Sequence, residues 1–367
     1  MDFDGDGAEE VISFFILPGD NPLKIYIFRD AGHDYELADI IESVGANFES
    51  ARYADLDGDG VLELIVGHLV SPALRSMTVY SIRGLTHTKL AEAVYSALSV
   101  YDFTGDGRDD LAVTRLSSSE FPGEVELFSF PRSGEPISYT AQLSFGVESL
   151  VRVLPGRLAT GESALFVDGK PSGGALVTDV FTVTGSALKN ISVSTPGGVS
   201  MSTLRDVPVY TADINRDGAP DVPMPRLLPQ QSDARYYAYD WYTFTADGMR
   251  RLALSTFHNE SDGWYFILRP EWRGYVTVRR ESHIAGERTI IFSHTAGGAL
   301  TDFLKIYTLT GENSENRERL PNRFRLYHDW GTIYAAEILD SGGQISITES
   351  DVNGAFSRIV EEWSFGS

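Results

Sequence analysis

Four copies of a nine-residue acidic pattern constrain the fold of this chain more than any other feature of its sequence. Each copy has oxygen-bearing side chains at positions 1, 3, 5 and 9 and a glycine at position 6. A hard divalent cation such as calcium binds roughly six to eight oxygens, and a tight loop with a glycine turn supplies them from alternate residues. The copies read DFDGDGAEE (2–10), DLDGDGVLE (55–63), DFTGDGRDD (102–110) and DINRDGAPD (213–221).

The spacing predicts a calcium loop that is not an EF-hand. An EF-hand requires glutamate at position 12, but position 12 is here Ser13, Val66, Val113 or Met224, and strand-like residues follow each loop. A single loop of this composition would be a solvated turn, whereas four copies in register argue for metal. We expect up to four structural calcium ions, held by the side chains of positions 1, 3, 5 and 9 and the backbone carbonyl of position 7. These ligands are Asp2, Asp4, Asp6, Ala8, Glu10, Asp55, Asp57, Asp59, Val61, Glu63, Asp102, Thr104, Asp106, Arg108, Asp110, Asp213, Asn215, Asp217, Ala219 and Asp221.

The distances between copies indicate a repeat. The first three loops begin about 50 residues apart, and the fourth begins about 110 residues after the third. Residues 149–167 fill this gap with the same strand and turn pattern but place Gly156, Leu158 and Thr160 at positions 1, 3 and 5. Arg157 adds a cation that would repel calcium, so we expect a fifth repeat without metal.

Each repeat is predicted to form four short strands. In the second repeat these are residues 49–54, 62–68, 77–82 and 89–95, separated by short turns. Four-stranded units with a period near 50 are typical of β-propeller blades. A continuous β-solenoid is the structural alternative, although its repeats are usually shorter.

The loops between short strands resemble FG-GAP and VCBS repeats, the calcium-loop blades of integrin-type propellers and of many bacterial surface proteins. The resemblance covers about residues 1–255. The order of features also resembles that of lipoproteins of gut Firmicutes, in which such repeats precede a segment similar to residues 263–280, 302–313 and 332–339. These resemblances imply a propeller fold and a location at the cell surface. They imply no particular reaction. Thr104 and Asn215 depart from the pattern at position 3, where a neutral oxygen should weaken calcium binding.

The repeat pattern stops near residue 257. We predict a mainly β chain with a propeller domain at 1–257, whose first blade is truncated, and a small α+β domain at 258–367. Its last segment has helical spacing at Val352, Phe356, Ile359, Val360 and Trp363, after a capping-box-like start at Thr348 and Asp351. The alternative is that this region forms two more blades of a seven-bladed propeller.

The charge of the chain excludes several classes of partner. It carries 52 acidic and 30 basic side chains, a net charge of −22, and it has no cysteine. Such a field disfavours nucleic acid and anionic membranes. The sequence has no apolar run of about 20 residues that could span a bilayer. Met1 directly precedes the first ligand, so we expect a natural N-terminus that supplies a strand, an export signal and a candidate lipid anchor. Since loops of millimolar affinity fill outside cells, an extracellular or cell-surface location is expected.

A search for catalytic motifs finds none. The seven histidines show no metal spacing, and P-loop, G-x-S-x-G and G-x-G-x-x-G patterns are missing in the required context. We therefore expect a non-enzymatic binding or adhesion protein whose ligand is a glycan or a protein. The alternative is a carbohydrate-active enzyme on a propeller scaffold, either a polysaccharide lyase or a hydrolase.

An aromatic strand offers a candidate ligand platform. The segment ARYYAYDWYTF (234–244) places Tyr237, Tyr239 and Trp241 on one face of a strand. If that face is exposed, its rings could stack on a sugar or a peptide. The alternative is that the rings pack between neighbouring sheets.

Overall fold

The fold was analysed in a computed structural model. It describes residues 3, 7–118, 121–195, 197–229, 234–295, 300–343 and 345–359. These fall into two units. Unit 1 comprises the described residues of Met1–Pro220 together with Phe244–Met249, and unit 2 comprises those of Asp221–Thr243 and Arg250–Glu362. Among the described residues, no helix has the length and apolarity needed to cross a bilayer.

Unit 1 consists of consecutive antiparallel sheets in which each strand pairs with the next along the chain. One three-stranded sheet is followed by three four-stranded sheets. The first contains β1 (Val11–Ile16), β2 (Leu23–Asp30) and β3 (Tyr35–Ser43), and the second contains β4 (Asn47–Ala54), β5 (Glu63–Ser71), β6 (Leu74–Ser81) and β7 (Thr88–Val94). The third contains β8 (Ala97–Tyr101), β9 (Asp110–Arg115), β10 (Glu124–Ser129) and β11 (Ile137–Gln142), and the fourth contains β12 (Val147–Arg157), β13 (Ser163–Pro171), β14 (Val177–Thr184) and β15 (Ala187–Asn190).

These sheets confirm the predicted fold class, a mainly β chain built from propeller-type repeats. The second repeat forms four strands, as its sequence predicts, and residues 149–167 form the first hairpin of a fourth sheet although they lack an acidic loop. The strand and turn pattern of the repeat therefore persists where the carboxylates are lost.

The apolar residues of each repeat explain why the sheets stack. Side chains alternate between the two faces of a strand. On β5, Leu64 and Val66 pack with residues of the first sheet such as Ile25, whereas Ile65 packs with residues of the third sheet such as Leu111. All five are at most 1% exposed. Because both faces of β5 are buried, its sequence is a continuous apolar run rather than an alternating one.

Unit 2 contains two five-stranded sheets. The first has the hydrogen-bonded order 222–227, 237–244, 250–259, 264–268 and 356–358, and the second has the order 276–284, 287–294, 301–310, 332–338 and 323–329. The first is formed by β16 (Val222–Leu227), β17 (Tyr237–Phe244), β18 (Arg250–Asn259), β19 (Trp264–Leu268) and β25 (Phe356–Arg358). The second is formed by β20 (Val276–Ile284), β21 (Glu287–His294), β22 (Thr301–Thr310), β23 (Arg323–Asp329) and β24 (Thr332–Ile338), accompanied by short helices α1 (Ser314–Glu318) and α2 (Glu349–Ala355). An aromatic core that includes Trp264, Phe266, Phe292 and Phe303 lies between the two sheets.

The boundary between the units differs from the one placed at residue 257. β18 runs through that position, and its hydrogen-bonded neighbours are β17 and β19. Strand pairing thus holds residues on both sides of 257 in one sheet. Residues after 257 contribute strands to both five-stranded sheets of unit 2, and the alternative of two further propeller blades stays a prediction.

The C-terminal helix is present but shorter than its sequence period suggests. Its capping box is confirmed, because the Asp351 amide donates to Thr348 Oγ1 at 3.2 Å and the Thr348 amide donates to Asp351 Oδ2 at 2.8 Å. Val352 is fully buried, as expected. The helix ends at Ala355, since Phe356 joins β25 and packs on Trp264, with ring centroids 5.7 Å apart. Ile359 follows β25, and the predicted core residues Val360 and Trp363 lie outside the described residues.

A buried polar network fixes the long segment that follows β15. Asp168 on β13 is fully buried and accepts hydrogen bonds from Thr178 Oγ1 at 2.5 Å, Thr211 N at 2.7 Å and Arg205 Nη2 at 3.2 Å. Arg205 also donates to the Val209 carbonyl at 2.9 Å. The network joins the fourth sheet to residues far along the chain, so the described residues of 191–211 are held although none of them belongs to a named strand.

Removing the cation of this network should be strongly destabilising. In Arg205→Leu, Asp168 would remain buried without its charged partner, a change that typically costs about 3–5 kcal/mol. The control is Arg29→Leu, which breaks an exposed pair with Glu36, and exposed pairs contribute at most about 1 kcal/mol. Urea unfolding of both variants measures the difference. Equal losses would show that the buried pair does not hold the segment.

Candidate functional site

The acidic loops connect specific strands of the repeats. Loop 2 (55–63) joins β4 to β5, and loop 3 (102–110) joins β8 to β9. Loop 1 (2–10) precedes β1, and loop 4 (213–221) precedes β16. The position-9 side chains, at or directly before the start of the following strand, are at most 4% exposed: Glu10, Glu63, Asp110 and Asp221. Each loop therefore places one carboxyl group in the protein interior.

The glycine at position 6 has the same left-handed backbone conformation in all four loops. Gly7, Gly60, Gly107 and Gly218 have φ angles of 89°, 91°, 87° and 86°. These values lie in the left-handed region, which glycine adopts without steric cost. The predicted role of this glycine is confirmed.

Loop 2 is closed by hydrogen bonds from its backbone to its own carboxylates. Asp55 accepts from the amides of Asp59 and Gly60, both at 3.0 Å, and Asp57 accepts from the Asp59 amide at 3.0 Å. Glu63 accepts from the Leu56 amide at 2.9 Å. The side chains at positions 1, 3 and 9 thus converge on the inside of the loop.

This convergence makes loop 2 a candidate cation site. Ligand oxygens of Asp55, Asp57 and Glu63 all lie within 4.8 Å of one another. Burial, reinforced by the neighbouring aspartates, raises the pKa of Glu63 to about 7. Burial also raises the pKa of Asp57, followed by the charge of Asp59. Repelling carboxylates at close range suit a hard divalent cation, because the cation offsets their charge and binds oxygen.

Arginines surround loop 2, and sequence reasoning missed them. Arg83 pairs with Asp59 at 2.9 Å, and Arg132 donates a hydrogen bond to the Gly58 carbonyl. Arg83 lies about 20 residues after the loop and Arg132 about 70, so no local pattern reveals either contact.

Loop 3 has the same backbone pattern but a different charge arrangement. Asp102 accepts from the amides of Gly105 at 2.7 Å and Gly107 at 3.0 Å, and Asp110 accepts from Thr104 N at 2.8 Å. The Arg108 guanidinium pairs with Asp106 and thereby lowers the pKa of that carboxyl group. Sequence reasoning used Arg108 for its backbone carbonyl alone, and its side chain instead competes for a predicted ligand.

Loops 4 and 1 follow the same plan where the structure describes them. In loop 4, Asp213 accepts from the amides of Asp217 at 3.0 Å and Gly218 at 2.8 Å, and Asp217 accepts from the Ala219 amide at 2.9 Å. Asn215 Nδ2 donates to Asp217 Oδ2 at 2.8 Å, and Asp221 is fully buried.

In loop 1, Glu10 accepts from the Phe3 amide at 2.6 Å, and Ala8 belongs to the same turn. Its other predicted ligands, Asp2, Asp4 and Asp6, lie outside the described residues. Within the part of the chain that the structure describes, loop 2 alone brings three carboxylates together.

The turn of the fifth repeat is a tight hairpin. The Leu158 amide donates to the Glu162 carbonyl at 2.8 Å, and Gly161 donates to the Leu158 carbonyl at 2.8 Å. Leu158 is 2% exposed, so an apolar side chain takes the position that an aspartate has in the second repeat.

The predicted aromatic platform is not a free surface. Tyr239 and Trp241 are 7% and 2% exposed, and Tyr237 is half-buried. Trp241 Nε1 donates to Thr256 Oγ1 at 2.7 Å, and the Tyr239 ring meets the His258 ring edge-on, with centroids 4.9 Å apart. Tyr239 and Trp241 are therefore buried and contact Thr256 and His258 on the neighbouring strand β18.

Comparisons with known proteins address the repeats. A family model described as an FG-GAP-like repeat matches residues 2–66, which span loops 1 and 2 and the first sheet. No curated protein matches the chain. Among solved structures, an exotype rhamnogalacturonan lyase, YesX, matches with a TM-score of 0.36 and 11% identity. The match covers 78% of this chain, and this chain spans 64% of the length of that protein.

His258 should make stability depend on pH. Burial lowers its pKa from 6.5 to about 4 in the folded protein. Since the unfolded chain takes up the proton first, the free energy of unfolding should fall as pH drops from 6.5 toward 4, by on the order of 3 kcal/mol. In His258→Phe this contribution to the pH dependence of the unfolding free energy should vanish. Urea unfolding at several pH values between 4 and 6.5 would measure it.

The control is the exposed His33, because His33→Phe should leave the slope in place. An unchanged slope in His258→Phe would contradict the buried neutral state of His258.

Proposed function

We propose that this chain is a calcium-stabilised, non-enzymatic binding protein that acts outside the cell or at its surface. The observation that carries the proposal is the convergence of Asp55, Asp57 and Glu63 in loop 2. In that loop, calcium would be held by these residues with Asp59 and the Val61 carbonyl. Calcium supplies positive charge and coordination there, and the loop residues supply the turn that joins β4 to β5.

Loops 3 and 4 would bind calcium more weakly than loop 2. Thr104 and Asn215 are neutral at position 3, where loop 2 has the carboxylate of Asp57. Affinity of calcium loops rises with the number of charged ligands. We infer that loop 2 fills first and that loops 3 and 4 need more calcium.

The proposed location and partner rest on charge and on the repeat. Loops of millimolar affinity fill outside cells. A net charge of −22 favours neither nucleic acid nor anionic membrane, which leaves glycans and proteins as partners. FG-GAP-like repeats stack sheets into a scaffold, and scaffolds of this kind commonly carry binding surfaces on their loops.

Calcium should raise the melting temperature of the protein. A ligand that binds only the folded state stabilises it by about 2.7 kcal/mol at 100 times its Kd. Asp57→Ala should lose most of this stabilisation, and Thr104→Ala should lose less, because the first removes a charged ligand from the most complete loop. Calorimetry in calcium and in chelator measures both. Identical melting curves in the two buffers would rule out structural calcium.

A single screen can distinguish a binding protein from an enzyme. The full chain, with calcium and with chelator, is applied to arrays of glycans, peptidoglycan fragments and surface proteins, and each ligand that binds is then incubated and examined for cleavage. The proposal expects binding with the ligand recovered intact. Cleavage products would instead favour the polysaccharide lyase or hydrolase considered above.

A further inference from the structure

A groove in unit 1 lies at the end of the sheets opposite the acidic loops. The loops follow the last residues of β4 and β8, whereas the groove is lined by Ser50 and Leu98 in the first halves of these strands and by Arg52 in the second half of β4. Because the strands run from the groove toward the acidic loops, most of the groove lining lies at the strand ends remote from the loops. The groove has a volume of about 690 Å³, within the range of small-ligand sites.

The groove has a positive charge in an acidic protein. Its charged lining residues are Glu49, Arg52 and Arg75, which sum to one positive charge, while the chain carries −22. Both carboxylate oxygens of Glu49 are used, since Oε1 accepts from Arg75 Nε at 2.5 Å and Oε2 accepts from the Tyr95 hydroxyl at 2.7 Å. Glu49 is therefore committed to these partners and does not neutralise Arg52.

Arg52 is placed to receive an anion. Its Nη1 donates to the Leu98 carbonyl at 3.3 Å, which orients the guanidinium and leaves other N–H donors for a ligand. Among the described residues, no carboxylate forms an ion pair with it. The side chain is partly buried, and burial lowers its pKa, so its charge is incompletely solvated. A carboxylate would replace the lost hydration with charge-assisted hydrogen bonds.

A second cavity extends the groove past Ser117 and Ser118, which line both. It has a volume of about 450 Å³ and carries two phenyl rings, Phe121 and Phe145, that are 67% and 75% exposed. Exposed aromatic rings of this size beside a cavity favour a ligand with an apolar face. Serine hydroxyls elsewhere along the groove, such as Ser96, can donate and accept hydrogen bonds.

We propose that this groove binds an oligosaccharide that contains uronic acid, with Arg52 contacting its carboxylate and Phe121 and Phe145 stacking on its sugar rings. A uronic acid oligomer combines a carboxylate, several hydroxyls and an apolar ring face in one extended ligand. The inference rests on the proposed binding function and names its site and ligand class. Calcium stabilises the opposite end of the sheets and makes no contact with the ligand.

The test uses the full chain in calcium and short oligomers of galacturonate and of hyaluronan, titrated by calorimetry. Wild-type protein should bind at least one of them. The carboxyl-reduced form of that oligomer should bind with an affinity that is lower by about tenfold or more. Arg52→Gln should cause a similar loss, and Arg52→Lys should restore part of the affinity. The matched control is Arg157→Gln, because Arg157 is exposed at the other end of β12.

The aromatic contacts have their own control. Phe145→Ala should weaken binding several-fold, whereas Phe15→Ala, at a ring that is 46% exposed on β1, should not. Melting temperatures establish that each variant is folded. Unchanged affinity in Arg52→Gln, equal binding of the carboxyl-reduced oligomer, or equal binding of poly-L-glutamate would each overturn the proposal, the last in favour of an acidic peptide.

Failure of this proposal is distinguishable from failure of the proposed function. If no uronic acid oligomer binds but calcium still raises the melting temperature, the groove assignment is wrong and the calcium-stabilised scaffold stands. If Arg52-dependent binding occurs without any effect of calcium on melting, the groove assignment stands and structural calcium falls.

Discussion

In the second and third sheets of unit 1, the first hairpin depends on the buried carboxyl group at the end of its acidic loop. Glu63 is 2% exposed and Asp110 is 1% exposed, and each begins the second strand of its sheet. Burial of a charge is costly unless hydrogen bonds or an opposite charge compensate for it. The amides of Leu56 and Thr104 provide part of that compensation, so the loop must fold back over its own last residue. That requirement closes the hairpin and sets the register of the strands, whose two apolar faces then pack against neighbouring sheets.

The two ends of the sheets in unit 1 have different physical properties. At one end, carboxylates crowd into loops whose stability depends on how their charge is balanced, by arginines such as Arg83 or by a cation. At the other end, the groove around Arg52 carries positive charge, serines and exposed rings. A scaffold of stacked sheets can keep these ends electrostatically independent, because β-sheets have only small net dipoles along their strands. Stability and ligand contact are then assigned to different residues.

Much of the repeat could be predicted because its signals are local. Aspartates at alternate positions around Gly60 specify the turn, and the apolar run from Leu64 to Val66 specifies a strand buried on both faces. The capping box of Thr348 is local in the same way. The period of about 50 residues even revealed the repeat at 149–167 that has no acidic loop.

The sequence by itself determined the acidic loops and the predominance of strands, since each depends on residues within a few positions of one another. It also determined the period of the repeats, because the loop pattern recurs along the chain. Tertiary structure alone decided what lies beside them. It buried Tyr239 and Trp241 against His258, drew Phe356 from a helical period into a sheet, and brought the Arg132 guanidinium to the Gly58 carbonyl. It also left Arg52 without an ion pair to any described carboxylate, in a groove that adjoins a cavity with two exposed rings. These features depend on which strands become neighbours. That pairing is determined by the packing energy between segments that are distant in the sequence.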